Sequence, residues 1–406
     1  MNVEELLRDT LREQAAEQLP LRAGFADQVL AVRRRRRARR LASVAVATAA
    51  VVAVAVGVPL LDGGKDDVRP AGVLDPGETR AHPDQSPPRE LIRAGDATMA
   101  AYYTTESVEQ TARRSHTTRT YWLLDQRTGR YEKDARWSFV AVAPGLRTAA
   151  VLERKIPARR IGLLDLTTGK VARWIQVEHG VGGVAFSHDG RELVATTYSA
   201  DPDVATRAAD DKDGTSFAMP VTMPRTGFYV LDVASGKGSW SKVGSPHDSM
   251  GLPTINVRQD FAPSRFGQYV WAGLTSEPGM QFYDRHGYEV PAPAGERNLK
   301  WYVEAGLSPD GKRVAGDFAG RTMKTSSWIT DLGTGKKTEV HGQQLLAWAG
   351  NRSLIAWDIG KDGGSEFHNR LVLVTIGSDR TVPLSGFRKG AGRDAGRWTP
   401  VFAESR

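Results

Sequence analysis

A chain of 406 residues, 40% hydrophobic and 25% charged, has ordinary globular composition and room for one large domain with appendages. It contains no cysteine, which excludes disulfide frameworks, thiolate zinc sites and thiol nucleophiles. The net charge of +8 raises a nucleic-acid role, but 10 Lys/Arg stand against 6 Asp/Glu up to Leu61 and 45 against 41 beyond it, so the bulk is nearly neutral and no nucleic-acid partner is expected.

The asymmetry lies in one block, Arg33, Arg34, Arg35, Arg36, Arg37, Arg39 and Arg40, followed by the uncharged run "LASVAVATAAVVAVAVGVPLL" at 41–61. A helix of that length spans roughly 31 Å, the thickness of a bilayer core. The reading is a transmembrane helix with the arginines on the cytoplasmic side and the remainder extracytoplasmic, in the plasma membrane. A cleaved signal peptide is the rival; it fits less well because 40 residues precede the apolar core.

Residues 1–40 read as a short amphipathic cytoplasmic stub. Asn2 and Glu5 are spaced as a capping box, Val3, Leu6, Leu7 and Leu11 share a helical face, and Phe25, Val29 and Val32 mark a second helix. So short a segment buries little core and is expected on the membrane surface or on a cytosolic partner. Residues 62–95, with Pro70, Pro76, Pro83, Pro87 and Pro88, read as an extended linker.

From Asp96 onward, short Val-, Leu-, Ile-, Phe- and Trp-rich runs alternate with two kinds of turn. One is "FSHDG" at Ser187 and "LSPDG" at Ser308, with looser forms near Pro144, Pro263 and Gly350. The other is Asp-x-x-Thr/Ser-Gly, at Asp125, Asp165, Asp232 and Asp331, with weak forms at Asp284 and Gly377. Asp or Ser opens such a turn by bonding its own backbone, and Gly supplies the positive φ. Four antiparallel strands per unit of about 40 residues is the period of a β-propeller blade. The fold expected for 96–406 is therefore an all-β propeller of six blades, with seven as the alternative and the late strand at 396–403 pairing with the first blade.

These units resemble WD40-type and TolB-type propellers, in which a hydrophobic-SPDG-hydrophobic pattern marks two inner strands. His179 and His341, each before a Gly, sit where WD40 repeats carry a loop histidine, and the resemblance implies a structural role for both. The Trp-Asp pair occurs only at Trp357-Asp358. With the basic stub and the Ala/Val run, the layout resembles uncharacterised single-pass WD40-like membrane proteins of actinobacterial type.

No Gly-x-Ser-x-Gly, His-Glu-x-x-His, phosphate-loop or dinucleotide motif occurs, so no catalytic residue and no cofactor is assigned. The longest insertion, 199–227, carries Asp201, Asp203, Asp210, Asp211 and Asp213. A calcium loop is one reading, but the EF-hand register would put Ala209 and Pro220 at ligand positions, and a solvated loop fits better. His179, His341 and His247 could together hold zinc, but each comes from a different blade, and no metal site is assigned. Arg154, Lys155, Arg159 and Arg160 fall on the same rim, where they could meet an acidic wall polymer or lipid headgroup, although solvated rim charge is the more usual reading.

The function expected from these features is a membrane-anchored, extracytoplasmic binding, scaffold or sensor module for a protein, peptide or envelope ligand. Alternatives are a hydrolase or lyase acting at the central channel, and anti-sigma-like signalling through the stub.

Overall fold

The computed structural model describes residues 78–111, 114–206, 224–244, 258–274, 279–320, 325–360, 367–389 and 397–405. Within them the chain forms strands, bridges and turns and no helix. The turns follow the expected chemistry. The Asp165 carboxylate accepts the Thr167 amide at 2.7 Å, and the Gly169 amide, at φ +67°, closes on the Asp165 carbonyl at 2.8 Å. In the other turn type Ser187 Oγ bonds Asp189 at 2.6 Å and the Gly190 amide reaches the Ser187 carbonyl at 2.8 Å.

Among the described residues the strands make a succession of antiparallel meanders grouped in five open sheets of seven, seven, four, three and four strands. The first meander is Trp398–Glu404, Ala97–Thr111, Arg114–Asp125 and Arg130–Asp134. The second is Trp137–Val142, Thr148–Glu153, Ala158–Asp165 and the start of Lys170–Phe186. That last strand runs on for 17 residues and opens the third meander, which continues through Glu192–Tyr198, Arg225–Asp232 and Gly238–Lys242. The fourth begins at Ala262–Pro263, the fifth at Arg313–Phe318 and the sixth at Gln344–Gly350.

Apolar clusters sit between successive meanders. Tyr121 and Leu123 meet Trp137 and Leu164; Leu152 and Ile161 meet Leu193 and Leu231; Val194 and Phe228 meet Phe261 and Tyr283. Leu346, Ile355 and Trp357 of the sixth meander pack with Met99, Tyr102 and Trp398 of the first. The late strand therefore joins the two ends of the array, with Thr399 opposite Tyr103 and Glu404 opposite Ala97. Trp398 is fully buried, its ring 5.2 Å from Trp357 and 5.9 Å from Tyr102, and its indole donates to Ser86 Oγ at 3.1 Å. Arg388 donates to the Trp398 carbonyl at 2.9 Å while lying 3.8 Å over the Trp357 ring. In the 62–95 segment, residues 78–95 contribute Thr79–Arg80 and Arg93–Ala94 to the first sheet and bury Leu91 and Ile92.

Several expectations are corrected. The predicted arrangement of six or seven separate four-stranded blades behind a transmembrane helix and a helical stub gives way to an all-β, propeller-like set of open sheets. The physical reasons are local: Lys170–Phe186 is long enough to serve two meanders and fuse them into one seven-stranded sheet, and the fifth meander retains three strands because Leu307 makes only an isolated bridge to Val314. No helix among the described residues is long and apolar enough to cross a membrane. The expected stub (1–40), its arginines and the span at 41–61 lie outside the described residues. The single-pass membrane partnership, the plasma-membrane location and the resemblance to a single-pass membrane family are accordingly withdrawn, and with them the membrane-anchored function.

Truncating Trp398 tests the joining of the first and last meanders. Trp398→Ala should cost about 3–5 kcal/mol in urea unfolding of the full chain, and a loss below about 1 kcal/mol would show that this strand does not hold the array together.

Candidate functional site

The 199–227 insertion begins with a buried ionic cluster. Asp203, 6% exposed, receives Arg119 through two bonds of 2.5 and 3.0 Å and Arg258 at 2.7 Å. Arg258 also donates to Asp260 at 3.0 Å and to the Gly182 carbonyl, and Tyr198 donates to Asp260 at 2.7 Å. Burial opposes the charge on Asp203, but Arg258 and Arg119 outweigh it and hold the carboxyl below its usual range. Burial likewise opposes the charge on Arg258, and Asp260 and Asp203 more than offset it. Asp201 accepts the Asp203 amide at 2.9 Å and stands 3.1 Å from His116. Asp203 is thus occupied by two guanidinium groups, and Asp201 by a backbone amide and the His116 ring. Asp210, Asp211, Asp213 and His247 lie outside the described residues, and among those described no group of three or more His, Asp or Glu is placed to hold a metal.

Next to this cluster, between the second and third meanders, is a cavity of about 750 Å³, a size that suits a small organic ligand. Its second-meander wall carries Pro157, Arg159, Glu178 and His179; its third-meander wall carries Tyr198, Arg225, Trp240 and Lys242. The cross-strand register explains the grouping. Tyr229 pairs with Trp240, and its hydroxyl accepts the His179 amide at 3.0 Å, which brings the two walls together. His179 then stacks on Trp240 at 3.8 Å and 18°, and the indole donates to Thr197 at 3.0 Å. Arg159 is anchored on the Glu178 carbonyl. The lining holds three cationic side chains, Arg159, Arg225 and Lys242, against one carboxylate, Glu178.

Arg225 is the unusual member. It is 4% exposed, its Nη1 donates to the Gln259 carbonyl at 2.9 Å and its guanidinium lies 4.2 Å over Phe261, while Nε and Nη2 are buried without a partner. Burial pushes its proton affinity down, against the opposing pull of Tyr198, Tyr283 and Asp260.

Of the residues singled out from sequence, Arg159 and His179 are brought together here. Arg154 donates to the Arg119 carbonyl at 2.8 Å, Arg160 is paired with Glu153 at 2.6 and 2.9 Å, and Lys155 is exposed outside the cavity lining. His341 lies in the fifth meander, 2.8 Å from Asp358 of the sixth. Sequence reasoning missed Arg225, Trp240, Lys242 and Tyr198. The available signal was the lone arginine opening the apolar strand "RTGFYVLD" at the end of the insertion.

No family model matches the chain, and no curated protein matches it. Solved structures similar to it include TolB from Acinetobacter baumannii, with 14% identity, a TM-score of 0.37 and coverage of 72% of this chain and 68% of that one. The acylaminoacyl peptidase of Pyrococcus horikoshii gives 13% identity and a TM-score of 0.37 over 72% of this chain and 46% of that one. Kuenenia stuttgartiensis hydrazine synthase gives 14% and 0.31 over 79% and 80%. At these scores the likeness carries no argument about what this chain does.

The buried cluster gives a pH prediction. Because the folded-state affinity of Asp203 for a proton is depressed, its stabilisation is present above the ordinary carboxylate range near about pH 4 and is lost as pH falls through the lower folded value. Asp203→Asn should therefore cost about 3–5 kcal/mol at neutral pH, by leaving buried Arg119 without a carboxylate and Arg258 with Asp260 alone, with the gap from wild type narrowing below about pH 4. Chemical denaturation across pH measures both, and a constant gap down to about pH 2 would contradict the assignment.

Proposed function

We propose that the β-array is a binding module and that the cavity between the second and third meanders takes up a small ligand carrying negative charge. The observation that carries this reading is Arg225, a nearly fully buried guanidinium with two unpartnered nitrogens, in a cavity wall shared with Arg159 and Lys242. Buried cations are ordinarily paired, so an unpaired one beside a ligand-sized space favours an anion there. The stacked His179 and Trp240, with Pro157, Tyr198 and Val243, supply an apolar wall for the uncharged part of the ligand.

Binding is favoured over chemistry by the way the reactive groups are engaged. Ser199 Oγ donates to the Pro224 carbonyl at 3.2 Å, Thr226 pairs with Thr197 at 2.8 Å, and the His179 ring faces Trp240 rather than a hydroxyl. A nucleophile and its base would need to be within hydrogen-bond reach of one another. The smaller cavity of about 350 Å³ beside Asp165 and Arg173 is a weaker candidate, since Arg173 already donates through both terminal nitrogens to the carbonyls of Val233 and Ala234.

Calorimetric titration of the full chain with benzoate, phenyl phosphate and benzyl alcohol tests the reading. At least one of the two anions should bind and the alcohol should not, and the Arg159→Ala/Lys242→Ala double variant should weaken anion binding roughly 5- to 10-fold, more at low salt. Equal binding by the double variant, or none by either anion, would overturn it.

A further inference from the structure

Resting on that reading of the cavity, we propose that the ligand is a carboxylic acid with a ring or apolar body, its carboxylate bridging Nε and Nη2 of Arg225 and its body lying against the His179–Trp240 stack. Three constraints hold the guanidinium in one orientation: Nη1 is fixed to the Gln259 carbonyl at 2.9 Å, one face covers Phe261 at 4.2 Å, and the residue is 4% exposed at the start of Arg225–Asp232. What is left is the edge carrying Nε and Nη2, whose two N–H bonds run parallel. That edge matches the two oxygens of a carboxylate in a bidentate pair.

A second buried side chain, behind Arg225, also lacks partners. Gln259, whose backbone holds Nη1, is buried at 6% exposure and both atoms of its own side-chain amide lack partners. Four unpartnered polar atoms on two neighbouring buried side chains are more than a native interior ordinarily leaves unmatched. A carboxylate engaging the Arg225 edge would satisfy the charged part of this deficit.

The lining also separates carboxylate from phosphate. A phosphate dianion usually draws on several donors, often backbone amides at a helix N-terminus, and no helix occurs among the described residues. Glu178 stands in the same lining and opposes a second negative charge. One guanidinium edge, on a residue that shares the cavity lining with an aromatic and apolar wall, suits a monoanion with an organic body. Both nitrogens are covered by their surroundings, so the carboxylate reaches them only as the cavity wall gives way, and association is expected to be slower than the diffusional encounter of two small partners.

The test is calorimetry of the full chain with hippurate, its neutral amide hippuramide, and phenyl phosphate, on wild type, Arg225→Lys and Trp240→Ala. Hippurate should bind wild type, with hippuramide about 10- to 100-fold weaker, as loss of a charge-assisted bidentate pair implies. Arg225→Lys should weaken hippurate by a similar factor, since an ammonium cannot reproduce two parallel N–H bonds, and Trp240→Ala should weaken it by removing the stacking wall. Should the lysine variant not fold, the hippurate-to-hippuramide ratio on wild type alone decides. Equal affinity for hippurate and hippuramide, or hippurate binding unchanged in Arg225→Lys, would overturn the carboxylate assignment. Phenyl phosphate binding that is lost in Trp240→Ala, with hippurate inert, would also overturn it while leaving the cavity as an anion site. Binding of any of the three that ignores Trp240→Ala, or no binding at all, would remove the cavity reading itself.

Discussion

Asp203 sits between two guanidinium groups in a place where water barely reaches, and three segments distant in sequence meet on its carboxylate. Arg119 comes from the long hairpin of the first meander, Arg258 from the chain leading into the fourth, and Asp203 from the start of the 199–227 insertion. Removing charges from water is costly, and such a cluster persists only when geometry and further hydrogen bonds offset the cost. Here the offset is visible: both Asp203 oxygens are used, Arg258 adds Asp260 and the Gly182 carbonyl, and Asp260 fixes the Tyr198 hydroxyl. Tyr198 is in turn a wall of the cavity. The position of the binding wall thus depends on an ion cluster that never enters the cavity.

The cluster requires backbone that approaches closely. A Cβ on Gly183 would collide with the Asp260 carboxylate, and one on Gly182 would meet the Tyr198 ring at 2.6 Å. The pair "GG" in "VGGVAF" is therefore explained by packing, on the stretch of Lys170–Phe186 where the second meander passes into the third. The same long strand delivers His179 to the cavity four residues earlier. A strand that serves two meanders gives a direct route from the ionic cluster to the ligand wall.

Much of the fold was legible because turn chemistry is local. Asp165, Gly169, Ser187 and Gly190 form the turns their types require, and the apolar runs between them are strands. What could not be read was how strands share partners: nothing in "KVARWIQVEHGVGGVAF" says that its two halves belong to different meanders. The site was harder still. In the sequence Arg159 belongs to a basic rim cluster and His179 to a structural loop position, whereas Arg225, Trp240 and Lys242 become a site only through the register that sets Tyr229 beside Trp240 and under the His179 amide. The acidic content of 199–227 suggests a calcium loop at best and a solvated loop as the better fit, and neither describes Asp201 and Asp203. Their partners, Arg119 and Arg258 at 84 and 55 positions from Asp203 and His116 in another strand, lie beyond any local pattern.

On the proposed reading, Arg225 anchors a ligand site rather than standing as an unsatisfied core residue. A crystal structure of the protein grown with hippurate addresses this most directly. One ligand is expected between the second and third meanders, with both carboxylate oxygens within about 3 Å of Arg225 Nε and Nη2 and the ring against Trp240. A cavity holding only water at saturating ligand, or hippurate seated away from Arg225, would contradict it.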